Sequence, residues 1–507
     1  MAPFSRLAGA PAGLLAAITG MAAAHLIAGL TDPDASPVLA VGSQVIDLTP
    51  TPVKEWAVAE FGTADKPILI GSVLVATLLL AALAGIVARR SLAAGAALIV
   101  LLTGLAGYTA AARPGAGAGV LIPSAVALVV GVGVLSWLTP SGSRAGTGPA
   151  DPARTGVRRR SLLLAGALGV ALAATGEWVA RARTRISDVV LPAASKKAPP
   201  LPEGLEETYD GISAFRTPND DFYRIDTRLT LPIVDLDDWR LTIDGDVGQE
   251  VELSFDDLLA MPLVERDITM TCVSNEVGGE YVGAARWLGV PLTTLLAMAG
   301  VRRVGDTGAD QILSTDVDGF TISTPLEVTL DGREPLVAVG MNGAPLPREH
   351  GFPVRLVTPG LYGFVGSTKW LRRLTLTSYD AEQAYWTERD WATDAPIKVS
   401  SRIDTPKAFA EVQAGQVVVG GVAWAQQRGI DSVELRVDGG PWQRCELGPD
   451  AGVDYWRQWY FLLDAEPGSR TLAVRATTSD GDVQTPARAT PFPAGSSGVQ
   501  EIVVTVS

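Results

Sequence analysis

Two cysteines and two histidines are all that 507 residues contain. A Cys/His zinc cluster, a His-rich metal site or a bis-histidine membrane haem needs more ligands than Cys272, Cys445, His25 and His350 supply. The cysteines stand about 170 residues apart, so their spacing implies no disulfide framework. No Gly-x-Gly-x-x-Gly or Walker-type loop occurs, which disfavours the nucleotide cofactors those loops cradle. Positive charge is also short. The net charge is −14, and it is unevenly spread: residues 1–181 carry 12 Lys/Arg against 8 Asp/Glu, whereas residues 182–507 carry 29 against 47. An acidic body of that kind repels phosphate backbones, so nucleic acid is not expected as a partner.

What the chain has in excess is apolar length. Hydrophobic residues make up 47% and mean hydropathy is +0.23, too apolar for an ordinary soluble protein. Four segments before residue 140 reach membrane length: Leu7–Leu30, Pro67–Ala88, Leu92–Ala112 and Val120–Leu138. A fifth, Ser161–Ala180, is less apolar and follows Arg158-Arg159-Arg160. The Thr31–Asp65 loop is acidic, while the turn at Arg89-Arg90 and the Thr139–Arg160 segment are basic. Basic flanks stay inside, so an all-α transmembrane region of about five helices over 1–181 is expected, with everything beyond it on the extracytoplasmic side of the cell membrane. Arg159-Arg160-Ser161-Leu162-Leu163 reads equally as a twin-arginine export signal or as a plain cytoplasmic charge cluster. His25 and Glu177 lie in apolar segments with no charged partner visible there, and carry no functional assignment.

Residues 182–208 read as a Pro/Lys/Ala/Glu-rich linker. Mixed short elements follow over 209–394, without a repeated strand–helix unit, which argues for an α+β domain. Ser254 is the N-cap of a short helix, Val290–Ala299 is a second helix, Gln311–Thr315 and Leu336–Met341 are strands, and Arg348–Arg355 is another strand. From about Ala395 the helices stop. Gln416–Ala423, Val433–Val437, Trp442–Glu446, Arg457–Leu463, Arg470–Thr477 and Val499–Val506 are β-rich runs between Gly, Asp and Pro turns, the spacing of an immunoglobulin-type β-sandwich over 395–507.

The stretch Asp267–Gly279 draws attention. Ile268, Met270 and Cys272 alternate with Thr269 and Thr271, a half-buried strand that runs into a polar, Gly-ending loop. On that pattern alone the thiol reads as a small buried hydrophobe, although a strand-to-loop junction is also where folds place chemistry. Cys445, after Trp442 in a sandwich strand, reads as core packing.

Three blocks shift that balance: Thr271-Cys272-Val273-Ser274-Asn275; Arg348–Arg355 with Gly366–Trp370; and Gly421–Trp424 with Val433–Gly440 and Trp456–Trp459. In this order they resemble the sulfite oxidase superfamily, molybdopterin-dependent oxidoreductases whose metal domain precedes an Ig-like dimerisation domain. The resemblance spans about 205–495. It implies a sulfite oxidase fold plus an Ig-like β-sandwich, a molybdenum–molybdopterin cofactor and a possible homodimer. It implies that Cys272 ligates molybdenum, a soft thiolate suiting a metal that also takes dithiolene sulfurs. By the same resemblance His350, Arg355, Ser367, Thr368 and Lys369 hold the pterin phosphate. Phe222, Tyr223, Arg224, Ile225 and Asp226 cover the metal from the substrate side, and Asp316 contacts the pterin.

The chain also departs from the family. Sulfite-oxidising members place an arginine shortly after the metal-binding cysteine, where this chain has Asn275-Glu276-Val277-Gly278. Where they place a tyrosine near the metal, this chain has Trp391. Arg224 is retained as one cation to face an anionic substrate, with Arg457 as a second candidate. The expectation is therefore a membrane-anchored molybdenum oxidoreductase working on a small substrate, with a separate electron-transfer protein or a quinone as electron partner. An S-oxide or N-oxide reductase and a non-enzymatic membrane receptor or adhesion protein with an Ig-like head are the alternatives.

Overall fold

The computed structural model describes residues 9–139 (apart from a few positions between 51 and 63 and residues 114–115), a handful between 164 and 175, and 189–507. The twin-arginine segment, Glu177 and most of the fifth apolar segment lie outside the described residues. The chain divides into two compact units, Met1–Ser187 with Thr227–Ile233, and Asp188–Asp226 with Val234–Ser507.

The first unit is helical: α1 (Ala10–Leu30), α2 (Pro37–Leu48), α3 (Asp65–Ala88), α4 (Leu92–Ala111) and α5 (Ile122–Leu138). By length and composition, α1, α3, α4 and the Gly119–Leu138 segment that includes α5 are long and apolar enough to cross a membrane. α1 buries Ala12, Gly13, Ala16, Gly20, Ala23 and Ala24, small residues that let helix backbones approach closely. The short α2 was not expected within the acidic loop. Its start is a proline in the first helical turn, after Ser36. The segment Thr227–Ile233 is held to this bundle by charge: Asp34 accepts from the Thr230 hydroxyl and lies 3.8 Å from Arg228, while Arg113 reaches Asp32 at 3.2 Å and Asp34 at 3.6 Å. His25 Nδ1 stands 3.5 Å from the Ser36 hydroxyl.

The second unit begins with residues that the sequence suggested were a linker. Ser195 and Lys196 pair along the chain at Leu263–Glu265, and Leu191 and Ala194 pack on the core. Two sheets follow. In one, β1 (Leu241–Gly245) and β2 (Val251–Leu253) join β10 (Leu371–Thr377), β5 (Gln311–Asp316) and β6 (Thr321–Pro325) in the order β2-β1-β10-β5-β6. In the other, β3 (Val264–Thr271), β4 (Val282–Pro291), β7 (Leu336–Met341) and β8 (Ala344–Pro345) run in sequence, with β9 (Arg355–Val357) also paired to β7. Helices α6 (Phe255–Ala260) and α7 (Leu292–Met298) pack on the same core, α6 started by a Ser254–Asp257 capping box. α7 begins two residues later than expected because β4 continues through Val290 and Pro291.

Arg348–Arg355 is not one strand. Arg348–His350 is a turn of 3-10 helix, Gly351 adopts φ +111°, and extended structure resumes only at Arg355. A left-handed residue cannot continue a strand, which is why the apolar Gly-Phe-Pro-Val run misleads.

The remainder is two facing sheets. β11 (Ser400–Thr405), β13 (Gly415–Trp424), β17 (Arg457–Ala465) and β16 (Glu446–Leu447) form one; β12 (Glu411–Val412), β19 (Gln500–Val506), β18 (Gly468–Thr478), β14 (Ile430–Val437) and β15 (Trp442–Arg444) form the other. Val419, Trp459, Leu435, Val474 and Ile502 meet between them. The expected strand Trp442–Glu446 proves to be β15 and β16 on opposite sheets, with Cys445 buried at the crossing. A further core joins both parts of the unit: Val273, Val282, Tyr362, Phe364 and Trp391 pack with Val422, Trp424, Tyr455 and Trp456.

Candidate active site

Cys272 sits one residue beyond β3 and is 8% exposed. Its N–H donates to the Tyr281 carbonyl at 2.9 Å, which closes the loop that leads into β4. Burial pushes the thiol above its ordinary pKa; the Ser274 amide and hydroxyl and the Lys369 ammonium pull it partly back. Left to itself this cysteine stays protonated at neutral pH. Coordination to a metal would deprotonate it without a helper base.

The cations come from the β9–β10 region. Arg355 opens β9, with Nε 3.2 Å and Nη2 2.8 Å from the Ser367 hydroxyl and Nη1 3.1 Å from the His350 carbonyl. Its guanidinium also lies 5.2 Å from the centre of the Trp287 ring. Burial draws its pKa down to about 10. Ser367 donates in turn to the Leu356 carbonyl, so the hydroxyl is oriented before any ligand arrives. Lys369 reaches Asp226 at 2.8 Å and the Glu349 carbonyl at 3.1 Å. Burial, helped by the neighbouring Arg355 and Arg224, lowers its pKa to about 8 even though Asp226 works in the opposite direction. Gly351 makes the gathering possible: a Cβ there would stand 3.0 Å from Lys369 Cα and Cβ and 3.1 Å from Arg355 Cβ.

His350 is buried against the Phe222 ring, with Nε2 2.9 Å from the Asn219 carbonyl. That contact fixes Nε2 as the protonated nitrogen of a neutral ring, and burial brings the pKa down to about 4. Phe222 stacks on Tyr223 and meets the edge of Trp287. The Tyr223 phenol is pushed up by burial and by the neighbouring Cys272, against the pull of Arg355, so it lies within the field of both. Arg224 is exposed and donates to the Asp226 oxygen that also takes Lys369; Ile225 is exposed beside it. Thr368 shares a 2.5 Å hydrogen bond with Ser314 on β5.

The structure thus gathers Cys272, Tyr223, Arg355, Lys369, His350, Ser367 and Asp226. Three further expected residues make contacts of their own. Asp316 Oδ1 accepts from the Asp318 and Phe320 amides and caps the β5–β6 turn. Arg457 pairs with Asp450 at 2.5 Å and with the Gly448 carbonyl. Trp391 packs among Phe364, Trp386 and Phe492, and its indole N–H has no hydrogen-bond partner among the described residues. Sequence reasoning missed Trp287, which floors Arg355, and Tyr362, whose phenol is driven up to about 12 by burial and by Cys272. Only the glycine-flanked setting of Tyr362 offered any signal.

The donor set fits a molybdenum–pterin group. Among the described residues no three of His, Cys, Asp and Glu converge, so a metal at Cys272 would draw its remaining donors from an organic ligand. A buried guanidinium held by a hydroxyl, a carbonyl and an indole retains charge for an anion such as a phosphate. Thr358 Oγ1, whose backbone pairs with Gly366, is buried without a partner among the described residues and can serve a polar ligand.

Comparison with known proteins agrees. Residues 228–386 match the oxidoreductase molybdopterin binding domain. The mitochondrial sulfite oxidase of Rattus norvegicus is 34% identical over 335 residues, covering 57% of this chain and 59% of that protein; the Mus musculus protein is 36% identical over the same length. Inducible nitrate reductase [NADH] 2 of Glycine max is 28% identical, covering 47% of this chain and 34% of that protein. The chain therefore spans about three-fifths of the sulfite oxidases it matches. The sulfane dehydrogenase SoxCD of Paracoccus pantotrophus shares the fold, with a TM-score of 0.51 at 23% identity over 59% of this chain and 85% of that one. Residues 228–386 therefore carry an oxidoreductase molybdopterin binding domain of the kind found in the sulfite oxidase superfamily.

Proposed function

We propose that this protein is a membrane-anchored molybdenum oxidoreductase of sulfite oxidase type, moving two electrons and an oxygen atom to or from a small substrate. The observation that carries the reading is the convergence of one buried thiol, Cys272, with two buried cations, Arg355 and Lys369. When bound, the molybdenum–pterin group supplies the two-electron centre. Cys272 would hold the metal. Arg355, with its planar fork, and Lys369, as a point charge, would neutralise the pterin phosphate, helped by the Ser367 and Thr368 hydroxyls. Tyr223 keeps its proton at neutral pH, since burial and the neighbouring thiolate both disfavour the phenolate. Phe222 and Tyr223 exclude water from one side, and exposed Arg224 offers a cation to an incoming anion.

A second reading is an S-oxide or N-oxide reductase of the same superfamily. It is favoured by exposed Glu276, a carboxylate where sulfite-oxidising relatives place a cation; like charge repels sulfite but not a neutral oxide. Four apolar helices support the membrane anchor, and the basic flanks support an extracytoplasmic catalytic unit. The Ig-like reading of the C-terminal sheets, a homodimer through them, and a separate redox protein or quinone as electron partner complete the proposal.

Elemental analysis after expression in a cofactor-competent host is the test. Less than about a tenth of a molybdenum per chain overturns the enzyme reading and leaves the receptor alternative. Cys272→Ser should keep the pterin and lose turnover. Oxidation of sulfite and reduction of a sulfoxide with a redox dye separate the two readings. An alkaline phosphatase fusion after Thr208 should be active; an inactive one reverses the topology.

A further inference from the structure

The loop that carries Cys272 packs through Val273 and, beyond it, is tied in place by hydrogen bonds. Behind it lies a cavity of about 410 Å³, lined by Gly278, Glu280, Arg402, Lys407, Trp456 and Gln500 among others. With open space beside Gly278 and Glu280, hydrogen bonds position that part of the loop. Asn275 is their hub. Its N–H donates to the Cys272 carbonyl at 3.0 Å, making the turn just after the thiol. Its side-chain oxygen accepts the Tyr281 N–H at 2.8 Å, drawing the far end of the loop back to its start. Gly279 leaves room for this: a Cβ there would stand 2.6 Å from the same oxygen. The Asn275 carbonyl accepts the Ser496 hydroxyl at 2.5 Å, and both residues are buried, at 5% and 9% exposure.

Ser496 lies 221 residues away in sequence, between β18 and β19 of the C-terminal sandwich. A second tie comes from the same sandwich, Arg402 Nη1 donating to the Gly279 carbonyl at 2.9 Å. β3 itself is gripped there too: the Trp456 amide donates to the Thr269 hydroxyl at 2.8 Å and Gln426 Nε2 to the Thr269 carbonyl at 2.9 Å. We infer that Asn275 and Ser496 are positioning residues for Cys272, and that through this pair the C-terminal sandwich sets where the thiol stands. The inference deepens the functional reading above and rests on it for its catalytic consequence, but not for its geometry.

Its test uses the full chain as wild type, Ser496→Ala, Asn275→Ala and Ser496→Thr, each prepared with and without the cofactor. In the cofactor-free protein, iodoacetamide should alkylate Cys272 about tenfold faster in Ser496→Ala than in wild type, the opening expected from one lost buried hydrogen bond. Asn275→Ala should be faster still, Ser496→Thr should return towards wild type, and the Cys445 rate should not change. In the loaded protein, Ser496→Ala should shift the thiolate-to-molybdenum charge-transfer absorption and lower kcat with KM little altered. An unchanged Cys272 rate in both alanine variants overturns the inference, as does a parallel rise at Cys445, which marks general loosening. If no preparation binds molybdenum, the functional reading falls while the alkylation rates still decide the positioning role.

Discussion

Lys369 and Asp226 meet at 2.8 Å, and the Asp226 oxygen that takes the ammonium also takes Arg224 Nε at 2.9 Å. One carboxylate, 4% exposed at its side chain, therefore ties an inner cation to an outer one and fastens the Phe222–Asp226 stretch over the site. Lys369→Met should destabilise the protein by about 1–3 kcal/mol, since Asp226 keeps Arg224 but loses its buried partner. Asp226→Asn in the same chain should recover part of that loss. A double-mutant cycle by urea denaturation should give a coupling of about 1–2 kcal/mol; additivity would mean the pair is not coupled.

Arg355 supports a prediction in which stability and function part company. Its partners are a hydroxyl, a carbonyl and an indole face, and burial costs it enough to lower its pKa to about 10. Removing a buried charge that has no carboxylate partner among the described residues relieves desolvation, so Arg355→Met should leave the cofactor-free protein as stable as wild type or about 1 kcal/mol more stable. The same change should reduce molybdenum content at least roughly tenfold, and Arg355→Lys should fail to restore it because an ammonium cannot fork. Full metal content in either variant would remove Arg355 from the phosphate site.

Why the residues proposed to hold the cofactor were legible and their supports were not follows from distance along the chain. Cys272, Arg355 and Lys369 stand in short linear blocks, and β7 was read to the residue because its apolar run is bounded by Asn342-Gly343. The four long helices announced themselves by apolar length. Local pattern failed where one residue changes backbone direction, as at Gly351, or where a strand changes sheets, as at Cys445. It could not foresee that Asp316 caps its own turn or that Arg457 pairs with Asp450, because each looks like any other charged residue. The Ser496–Asn275 tie, joining loops 221 residues apart, leaves no signature in either segment.

His350 makes stability depend on pH. Its folded-state pKa is depressed to about 4 by burial, against about 6.5 for an exposed imidazole. Between those values the unfolded chain binds a proton that the folded protein refuses, so stability falls as pH drops from about 6.5 towards 4 and is constant with respect to this group above 6.5. The contribution is on the order of 3 kcal/mol across the window. His350→Gln can keep a donor towards the Asn219 carbonyl but does not titrate there. Urea midpoints of the cofactor-free protein at a series of pH values should show a shallower slope for His350→Gln between pH 4 and 6.5. Parallel slopes would mean His350 is not held neutral.

Gly351 offers the sharpest separation of crowding from strain. It adopts φ +111°, and a methyl group there would meet Lys369 Cα and Cβ at 3.0 Å and Arg355 Cβ at 3.1 Å. Gly343, at φ +83° in the β7–β8 turn, has nothing within 4 Å of a built Cβ. Both alanine variants bear left-handed strain of about 1 kcal/mol, but only Gly351→Ala must also push apart the two cations proposed to hold the pterin phosphate. Gly343→Ala should therefore lose about 1 kcal/mol and keep its molybdenum. Gly351→Ala should lose about 2–3 kcal/mol and most of its metal, because backbone and Cβ atoms of Lys369 cannot swing aside as a side-chain tip could. Equal metal content in the two variants would mean that the spacing of Arg355 and Lys369 does not govern cofactor retention.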